Sequence, residues 1–316
     1  MNWTNKNVIV TGGSGVIGKE LIKKLINLDA NVRCFDIVPK PRHIPKLVKY
    51  FRRDLTSLNP KEFIEFEPEI IFHLAATFER TKETIGFWER NFRNNVILTH
   101  NVLNAAKKCG HLKRFLFASS YLVYSPNLYL NKTPPGSSVK LSEDSSINPR
   151  NLCGSAKYYS EKELEYLKKF DNFTFTYVSA RIFRVYGLGS RDVISRWVRA
   201  GLKGRKIKVY GRENSFDFIF SSDVAEGLIK LAESNVNGPV NLGMGTSNKI
   251  DQVIKSLCRE IPQMRIEELK KRILYEASVA DITKLEKETK WKPKIELEEG
   301  IRTLVDYERK RLVRNR

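Results

Sequence analysis

Three glycines, Gly12, Gly15 and Gly18, form the most informative pattern in the chain, in the segment TGGSGVIG. The segment follows a short apolar run and opens an amphipathic stretch, which indicates a strand, a tight turn and a helix in succession. These glycines allow the turn, a close approach of the backbone to a phosphate, and close packing of the helix on the sheet. The helix N-terminus would then attract an anion through its free N–H groups. We therefore predict a dinucleotide pyrophosphate site rather than a turn without a ligand, and the site also includes Ser14, Val16 and Ile17.

An acidic residue stands where such a site needs one. Asp36 ends the second predicted strand, 32–35, about 20 residues beyond the glycines, where a carboxylate accepts hydrogen bonds from the adenosine ribose. A carboxylate at this place repels a 2′-phosphate, so NAD is favoured over NADP. Three cations close by in the sequence, Arg33, Lys40 and Arg42, oppose that preference. In the alternative interpretation, Asp36 simply ends the strand.

Strand and helix patterns alternate through the first 180 residues. The predicted strands after the second cover residues 69–76, 114–120 and 173–182, and the predicted helices after the first cover residues 91–108 and 154–169. This alternation predicts an α/β fold with a doubly wound parallel sheet. We predict an NAD-binding Rossmann domain over residues 1–185. A smaller α/β substrate lobe would cover residues 186–316, with some of its segments returning to the Rossmann sheet.

Motifs distributed over residues 7 to about 307 resemble those of the extended short-chain dehydrogenases/reductases, in the nucleotide-sugar epimerase/dehydratase group. The motifs are TGGSGVIG, HLAA at 73–76, NNV at 94–96, SSYLVY at 119–124, GSAK at 154–157, VYG at 185–187, FDFIFSSDVA at 216–225 and WKPKIELEEGI at 291–301. The resemblance implies NAD as cofactor, a nucleotide-activated sugar as substrate, and hydride transfer at a ring carbon, C4. It also implies cofactor-site positions for Asp54, Leu55, Leu74, Ala75, Ala76 and Asn95.

The resemblance further implies a catalytic group of Ser or Thr, Tyr and Lys, and one member is missing here. Ser120 and Lys157 occupy two of the three places, but Cys153 stands where the family has tyrosine. Cys153 and Lys157 are four residues apart and share a helix face, so the ammonium could favour a thiolate. A thiol ends one bond from Cβ, however, and a general base must come within about 2.6–3.2 Å of its proton. Cys153 is therefore either a modified acid/base or a small buried residue without a catalytic role.

The residues that follow Ser120 suggest a substitute and exclude one reaction. Tyr121 is the predicted replacement acid, with packing at a strand end as its alternative role. Dehydratases of the resembled family carry Asp-Glu after the Ser or Thr. Here those places are Tyr121 and Leu122, and leucine cannot transfer protons, so a 4,6-dehydratase is disfavoured.

The expected substrate contacts also depart from the resembled family. Arg184 stands where many relatives have asparagine, and Phe216 stands where many have arginine. We predict that Arg184 takes over diphosphate binding, because a guanidinium can hold phosphate oxygens at two points. Arg191 and either Lys271 or Arg272 are further candidates, with ordinary surface cations as the alternative.

Composition limits the class of protein and its partners. The chain has 316 residues, 56 Lys and Arg against 36 Asp and Glu, and a formal net charge of +20. Such a surface attracts anions, but the charge is spread along the chain, so nucleic-acid binding stays a minority hypothesis. The four scattered cysteines fit no metal site and suggest reduced thiols. Without a signal-peptide pattern or a membrane-spanning apolar run, we expect a cytoplasmic protein without a membrane partner.

Three functions remain open from the sequence. The first is an NAD-dependent epimerase or dehydrogenase of nucleotide sugars, with atypical acid/base chemistry. The second is a non-catalytic protein that binds NAD or a sugar nucleotide, and the third is an RNA-binding relative of the fold. By analogy with the family we expect a homodimer formed through the helices at 91–108 and 154–169. Leu164 and Leu167 would serve either that seam or the core.

Overall fold

The computed structural model describes residues 1–78, 83–170, 174–269 and 274–314. Its strands are β1 (Asn7–Thr11), β2 (Asn31–Asp36), β3 (Lys49–Arg52), β4 (Ile70–His73), β5 (Arg114–Ser120), β6 (Leu130–Asn131), β7 (Val139–Leu141), β8 (Thr176–Ile182), β9 (Arg184–Tyr186), β10 (Ile207–Val209), β11 (Ser215–Phe216), β12 (Phe218–Phe220), β13 (Gly238–Leu242), β14 (Asn248–Lys249), β15 (Ile266–Glu268) and β16 (Tyr275–Ala280). Its helices are α1 (Val16–Asn27), α2 (Lys61–Ile64), α3 (Ile85–Asn91), α4 (Leu98–Ala106), α5 (Leu152–Phe170), α6 (Val193–Leu202), α7 (Ser221–Glu233), α8 (Ile250–Glu260), α9 (Thr283–Thr289) and α10 (Leu297–Arg314).

The main sheet has seven strands in the order β13-β8-β5-β4-β1-β2-β3, and every neighbouring pair is parallel. The direction in which the chain adds strands to the sheet reverses between β1 and β4. β2 and β3 follow β1 on one side, and β4, β5, β8 and β13 are added on the other. Ligands of doubly wound sheets bind at such a switch point, beside the C-terminal ends of the strands. The predicted α/β fold class with a doubly wound parallel sheet is confirmed.

Helices cover both faces of this sheet, as a parallel sheet requires. On one face α1 packs against α7, and the predicted apolar face of α1 buries Leu21, Ile22 and Leu25. On the other face α4 and α5 contribute the core residues Leu103 and Leu164. Leu164 is fully buried and Leu167 packs against the same cluster, so both serve the core rather than an exposed seam.

Element boundaries differ from the prediction in two places that affect the site. The predicted strand over 69–76 ends at His73, and Leu74–Ala76 continue without regular pairing. The helix predicted from residue 91 begins at Ile85, because the Thr84 side chain accepts a hydrogen bond from the backbone N–H of Phe87. It runs into α4 through a π-helical turn at Phe92–Ile97. The predicted strand over 173–182 begins at Thr176, and Phe173 lies outside the described residues.

A second group of small sheets stands over the C-terminal ends of the large sheet's strands. It consists of the pair β10-β15, the pair β9-β12, and a sheet ordered β14-β11-β16-β6 with β7 also on β16. The predicted boundary at residue 185 does not separate the two parts fully. β13 pairs with β8 in the large sheet, and β6 and β7, which lie between β5 and α5 in the chain, pair with β16.

Candidate active site

The glycine turn joins β1 to α1 at the C-terminal edge of the large sheet. Gly12 has a left-handed φ of 70°, and a Cβ there would lie 2.7 Å from the backbone nitrogen of Ala75. A Cβ on Gly18 would lie 2.5 Å from the carbonyl oxygen of Gly12, so the helix packs directly on the turn. Both positions therefore require glycine. None of the described side chains caps α1 at Gly15, which leaves the first helical N–H groups available to an anion.

A cleft of about 310 Å³ opens beside this turn, and we call it the cofactor cleft. Nine of the predicted cofactor residues line it: Gly12, Ser14, Gly15, Asp36, Asp54, Leu55, Leu74, Ala75 and Ala76. Three other predicted residues lie behind or beside the cleft. Val16 and Gly18 are in the first turn of α1, and Ile17 lines the neighbouring cleft described below.

Asp36 is held in a fixed orientation at the end of β2. Its Oδ2 accepts hydrogen bonds from the backbone nitrogen of Ser14 at 2.9 Å and from its hydroxyl at 2.6 Å. Two of the cations that oppose an NAD preference have other partners. The Arg33 guanidinium lies 4.2 Å from the ring centre of Phe66, and Lys40 donates to the carbonyl of Val48 at 2.9 Å. An oriented carboxylate, an uncapped helix N-terminus and a turn with glycine at positions 12, 13 and 15 together fit a dinucleotide.

Asp54 shapes the far wall of the cofactor cleft. Its Oδ1 accepts the backbone N–H of Thr56 at 2.9 Å, and Arg93 donates to Oδ2 at 3.2 Å. Burial alone would raise the pKa of Asp54, but these contacts hold that pKa below its ordinary value. Leu55 is buried directly behind it. Asp54 therefore stays ionised while it braces the turn.

Asn94, rather than the predicted Asn95, lines the cofactor cleft. The Asn95 side chain is buried, and its amide exchanges hydrogen bonds with Thr77, donating to the carbonyl at 2.9 Å and accepting the N–H at 2.7 Å. It also donates to Asn91, which in turn donates to the carbonyl of Leu152. The π-helical turn changes the direction in which these side chains point. Asn95 thus positions the cleft wall and the start of α5.

The predicted catalytic residues come from two neighbouring elements. Ser120 ends β5 and accepts a hydrogen bond from the N–H of Leu122 at 3.2 Å. Cys153 and Lys157 lie one turn apart in α5. The Cys153 thiol is buried and lies 3.8 Å from the carbonyl oxygen of Thr77, to which it donates. Burial lowers the pKa of Lys157 to about 8, an effect that Cys153 and Glu161 partly oppose.

Tyr121 does not have the surroundings expected of a substitute acid. Its side chain is buried, its ring stacks on Phe183 at 5.1 Å, and its hydroxyl donates to Glu276 at 2.9 Å. Burial is the largest influence and raises the pKa of Tyr121 well above its usual value. The 3₁₀ turn at Tyr121–Val123 directs this side chain into the core. A phenol that is buried and hydrogen-bonded in this way is a poor source of protons, which corrects the prediction.

Two further clefts lie between the large sheet and the small lobe. The reaction cleft, of about 550 Å³, contains Ser120, Asn151 and Phe78 in its wall, and the outer cleft, of about 630 Å³, contains Phe216 and Lys208. Their shared wall contains Arg150, Arg184, Val193 and Arg196. The cofactor cleft ends at Thr77 and the reaction cleft begins at Phe78, so the three clefts follow one another.

Sequence reasoning missed Glu276, which joins the two central arginines. Its buried carboxylate accepts hydrogen bonds from Arg150, from Arg184 at 2.8 Å, and from the Tyr121 hydroxyl. Burial alone would raise the pKa of Glu276, but the two guanidinium groups hold it below the ordinary value. A single acid within the otherwise uncharged strand YEASVA was the available signal.

The predicted substrate residues have different surroundings. The Arg184 guanidinium lies 3.9 Å from the ring centre of Phe216, a cation–π contact in the wall of the outer cleft. Arg191 is exposed and lines the reaction cleft. Lys271 and Arg272 lie outside the described residues.

Two kinds of site find no support in the described ranges. The residues of those ranges contain no cluster of His, Cys, Asp and Glu suited to a metal ion. Within them no helix is both long and apolar enough to cross a bilayer. The four cysteines all lie in described segments, and none forms a disulfide.

The proteins that this chain resembles in sequence and structure are named for UDP-sugars. A UDP-glucuronic acid decarboxylase 1 of Xenopus tropicalis is 28% identical over 97% of this chain and 73% of the relative. A putative UDP-glucose 4-epimerase of Methanocaldococcus jannaschii is 28% identical over 95% of this chain and 97% of the relative. The solved structure of MoeE5 in complex with UDP-glucuronic acid and NAD has a TM-score of 0.83 and 28% identity, covering 96% of this chain and 99% of that one.

The family comparison agrees with the glycine turn, the oriented Asp36 and the cleft geometry described above. The match covers residues 8–243, from β1 to just beyond β13. This chain therefore belongs to the NAD dependent epimerase/dehydratase family.

Proposed function

We propose that this protein is an NAD-dependent enzyme that transfers a hydride at C4 of the sugar in a UDP-sugar. The observation that carries the proposal is the succession of clefts, in which a dinucleotide site leads past Ser120 into a wall of arginines. Phosphates are well matched by guanidinium groups, and the outer cleft adds Lys206 and Lys208. The family and its relatives support the same reaction class.

The chain's own residues would divide the work as follows. Gly12 and Gly15 admit the pyrophosphate, and Asp36 accepts the ribose hydroxyls. When bound, NAD supplies the acceptor for the hydride. Ser120 hydrogen-bonds the sugar hydroxyl at the reacting carbon, and Arg184 holds the diphosphate with Phe216 stacked behind it. Lys157 provides a positive charge beside the reacting groups.

The proton of that hydroxyl has no tyrosine to receive it, since Cys153 stands in its place. General acid–base assistance contributes about 10²–10⁴-fold to a rate. We therefore propose a slow or specialised enzyme. In it a water beside Cys153 and Lys157 relays the proton that a phenol would otherwise take directly.

Replacement of Cys153 by tyrosine tests this proposal. We expect Cys153→Tyr to raise kcat by about tenfold or more on a UDP-sugar substrate, and Cys153→Ser, which has no greater reach, to leave it unraised. NAD affinity and unfolding temperature should be measured on both variants to separate chemistry from packing. No turnover in any of the three proteins, with NAD bound and with either UDP-glucose or UDP-glucuronic acid as substrate, would contradict an enzymatic role.

That last outcome would support a second candidate function, a non-catalytic protein that binds NAD and a sugar nucleotide. The observation that favours it is the burial of Cys153, which is only 4% exposed and directs its thiol at a backbone carbonyl. Both candidates require NAD binding, so calorimetry with NAD and NADP on ligand-free protein is the first measurement. If neither NAD nor NADP gave a heat of binding, both candidate functions would be contradicted.

We also propose that two copies associate through the outer face of α3–α4 and α5. This face exposes large apolar residues, and Trp88 and Phe92 stack there with ring centres 6.0 Å apart. With Tyr159 they are each about half exposed, at 54%, 47% and 53%. Such a patch favours a protein partner. Light scattering after chromatography should give a dimer for the wild type and a monomer for Phe92→Glu, and a wild-type monomer would contradict the proposal.

A further inference from the structure

The wall between the reaction cleft and the outer cleft carries more positive charge than a diphosphate requires. Six basic side chains line the two clefts among the described residues: Arg150, Arg184, Arg191, Arg196, Lys206 and Lys208. Among the residues that the structure describes, two carboxylates line the same clefts, those of Asp192 and Glu276. Asp192 is occupied in capping α6 through the N–H of Ser195, at 3.0 Å. A sugar nucleoside diphosphate carries one negative charge on each phosphate. Its two charges therefore do not balance all the positive charge that lines the two clefts.

Part of this excess positive charge lies in the same cleft as Ser120, because Arg150 is fixed there. Its backbone N–H donates to the carbonyl of Leu122 at 2.9 Å, two residues beyond Ser120. Its guanidinium donates to Glu276, and its side chain remains 30% exposed towards the clefts. Arg150 therefore presents a positive charge in the same cleft as the hydroxyl of Ser120.

Arg184 is directed differently although it shares the same carboxylate. Both arginines line both clefts. The Arg184 guanidinium, however, lies 3.9 Å from the ring centre of Phe216 in the outer cleft and 5.8 Å from that of Tyr121 in the reaction cleft, so it is closer to the outer cleft. Glu276 neutralises one positive charge of the pair, so one remains to be shared between Arg150 and Arg184. Glu276 acts here as a positioning residue, because it holds both guanidinium groups on one carboxylate oxygen. Arg184 is then the phosphate-facing cation, and Arg150 is a second cation facing the sugar.

We infer that the sugar itself carries a carboxylate, as in a hexuronic acid, and that Arg150 binds that carboxylate. This inference rests on the proposed function, since it concerns the sugar end of the same substrate. A guanidinium donates two parallel hydrogen bonds to a carboxylate, and a charge-assisted pair of this kind is stronger than a neutral one. A neutral sugar would leave Arg150 half-buried beside an uncharged hydroxymethyl group.

The test compares UDP-glucuronic acid with UDP-glucose, which differ only in the oxidation state at C6. Calorimetric titration of the NAD-loaded protein at about 0.15 M salt screens long-range attraction to about 8 Å. We expect UDP-glucuronic acid to bind at least about tenfold more tightly. Equal affinity for the two would overturn the inference while leaving the proposed function intact. Binding of neither, in protein that binds NAD, would contradict the proposed function itself.

Variants separate a specific carboxylate contact from general attraction. Arg150→Lys keeps the charge opposite Glu276 but loses the paired donors, so the preference for UDP-glucuronic acid should fall several-fold. Arg150→Gln should abolish the preference, so that UDP-glucuronic acid and UDP-glucose bind the variant with equal affinity. Arg205→Gln removes the same charge from an exposed position outside the clefts and should retain the preference. A preference that declines equally in Arg150→Gln and Arg205→Gln would overturn the inference.

Discussion

The cofactor cleft and the arginine wall are built in different ways. The cofactor cleft consists largely of backbone, from strand ends at Gly12, Asp36 and Leu74 that the parallel sheet brings to one edge. The arginine wall depends on side chains that are far apart in the chain, since Arg150 and Glu276 are separated by 126 residues. A parallel sheet fixes the first kind of site through its strand order. The second kind depends on particular side chains meeting across two lobes.

This difference explains why the family motifs identify the cofactor and not the sugar. The turn accepts only glycine at certain positions for steric reasons, so a short sequence motif is enough to recognise it. A cluster of two arginines and a glutamate can be built from many different positions in the chain, so no short motif identifies it. Four experiments test this contrast between the two sites.

The largest effect is expected for Gly12→Val in the cofactor cleft. A β-branched residue at φ 70° is strained, and its Cβ would lie within 3 Å of the backbone of Leu74 and Ala75. We expect loss of NAD binding and a free energy of unfolding lower by about 3 kcal/mol or more, from strain and overpacking together. Gly110→Val is the control, because no atom lies within 4 Å of its added Cβ. Equal effects in the two variants would contradict the steric argument.

The next effect is expected for Glu276→Ala in the arginine wall. The substitution leaves two partly buried guanidinium groups without their carboxylate, and it should lower the free energy of unfolding by about 2–3 kcal/mol, less than a fully buried pair would lose. Urea denaturation would measure the change. Glu213→Ala breaks an exposed pair with Lys249 and should cost less than about 1 kcal/mol. A Glu276 variant as stable as the Glu213 variant would show that the wall tolerates the loss of its anion.

A smaller effect is expected for Asp36→Asn, which removes the charge and keeps the shape. The ratio of NADP affinity to NAD affinity should rise about tenfold, because the repulsion of a 2′-phosphate is lost. Calorimetry with both dinucleotides would measure the ratio. Asp29→Asn changes the same charge at an exposed residue after α1 and should leave the ratio as it is. An unchanged ratio in Asp36→Asn would mean that another residue selects the cofactor.

The most gradual effect is a pH dependence of stability from Lys157, which changes the free energy of unfolding by at most about 1.4 kcal/mol for each pH unit. Its pKa in the folded protein is lowered to about 8, whereas an unfolded lysine titrates near 10.4. Between these values the unfolded chain binds more protons, so the stability of the wild type should rise with pH. Lys157→Met should therefore be more stable than the wild type below about pH 8, with the gap closing towards pH 10.4. A gap that stays constant from pH 7 to 10 would contradict the buried ammonium.

Several assignments within the site show where sequence patterns stop being sufficient. The motif NNV predicted a polar contact, but the π-helical turn decided that Asn94 faces the cofactor cleft and Asn95 faces Thr77. Tyr121 follows Ser120 directly, yet the 3₁₀ turn buries it against Phe183. Both outcomes depend on a short turn of unusual helical geometry, which propensity and periodicity do not resolve.

The parallel sheet, the glycine turn and the acidic end of β2 could be predicted from the amino-acid sequence, because each follows from periodicity or sterics over fewer than about 20 residues. The place of Cys153 in the motif remains a prediction from the family resemblance. The meeting of Glu276 with Arg150 and Arg184, and the adjacency of the three clefts, became evident only in the folded chain. The physical reason is that a buried ion-pair cluster needs partners from separate lobes, and local pattern carries no information about which distant side chains will meet.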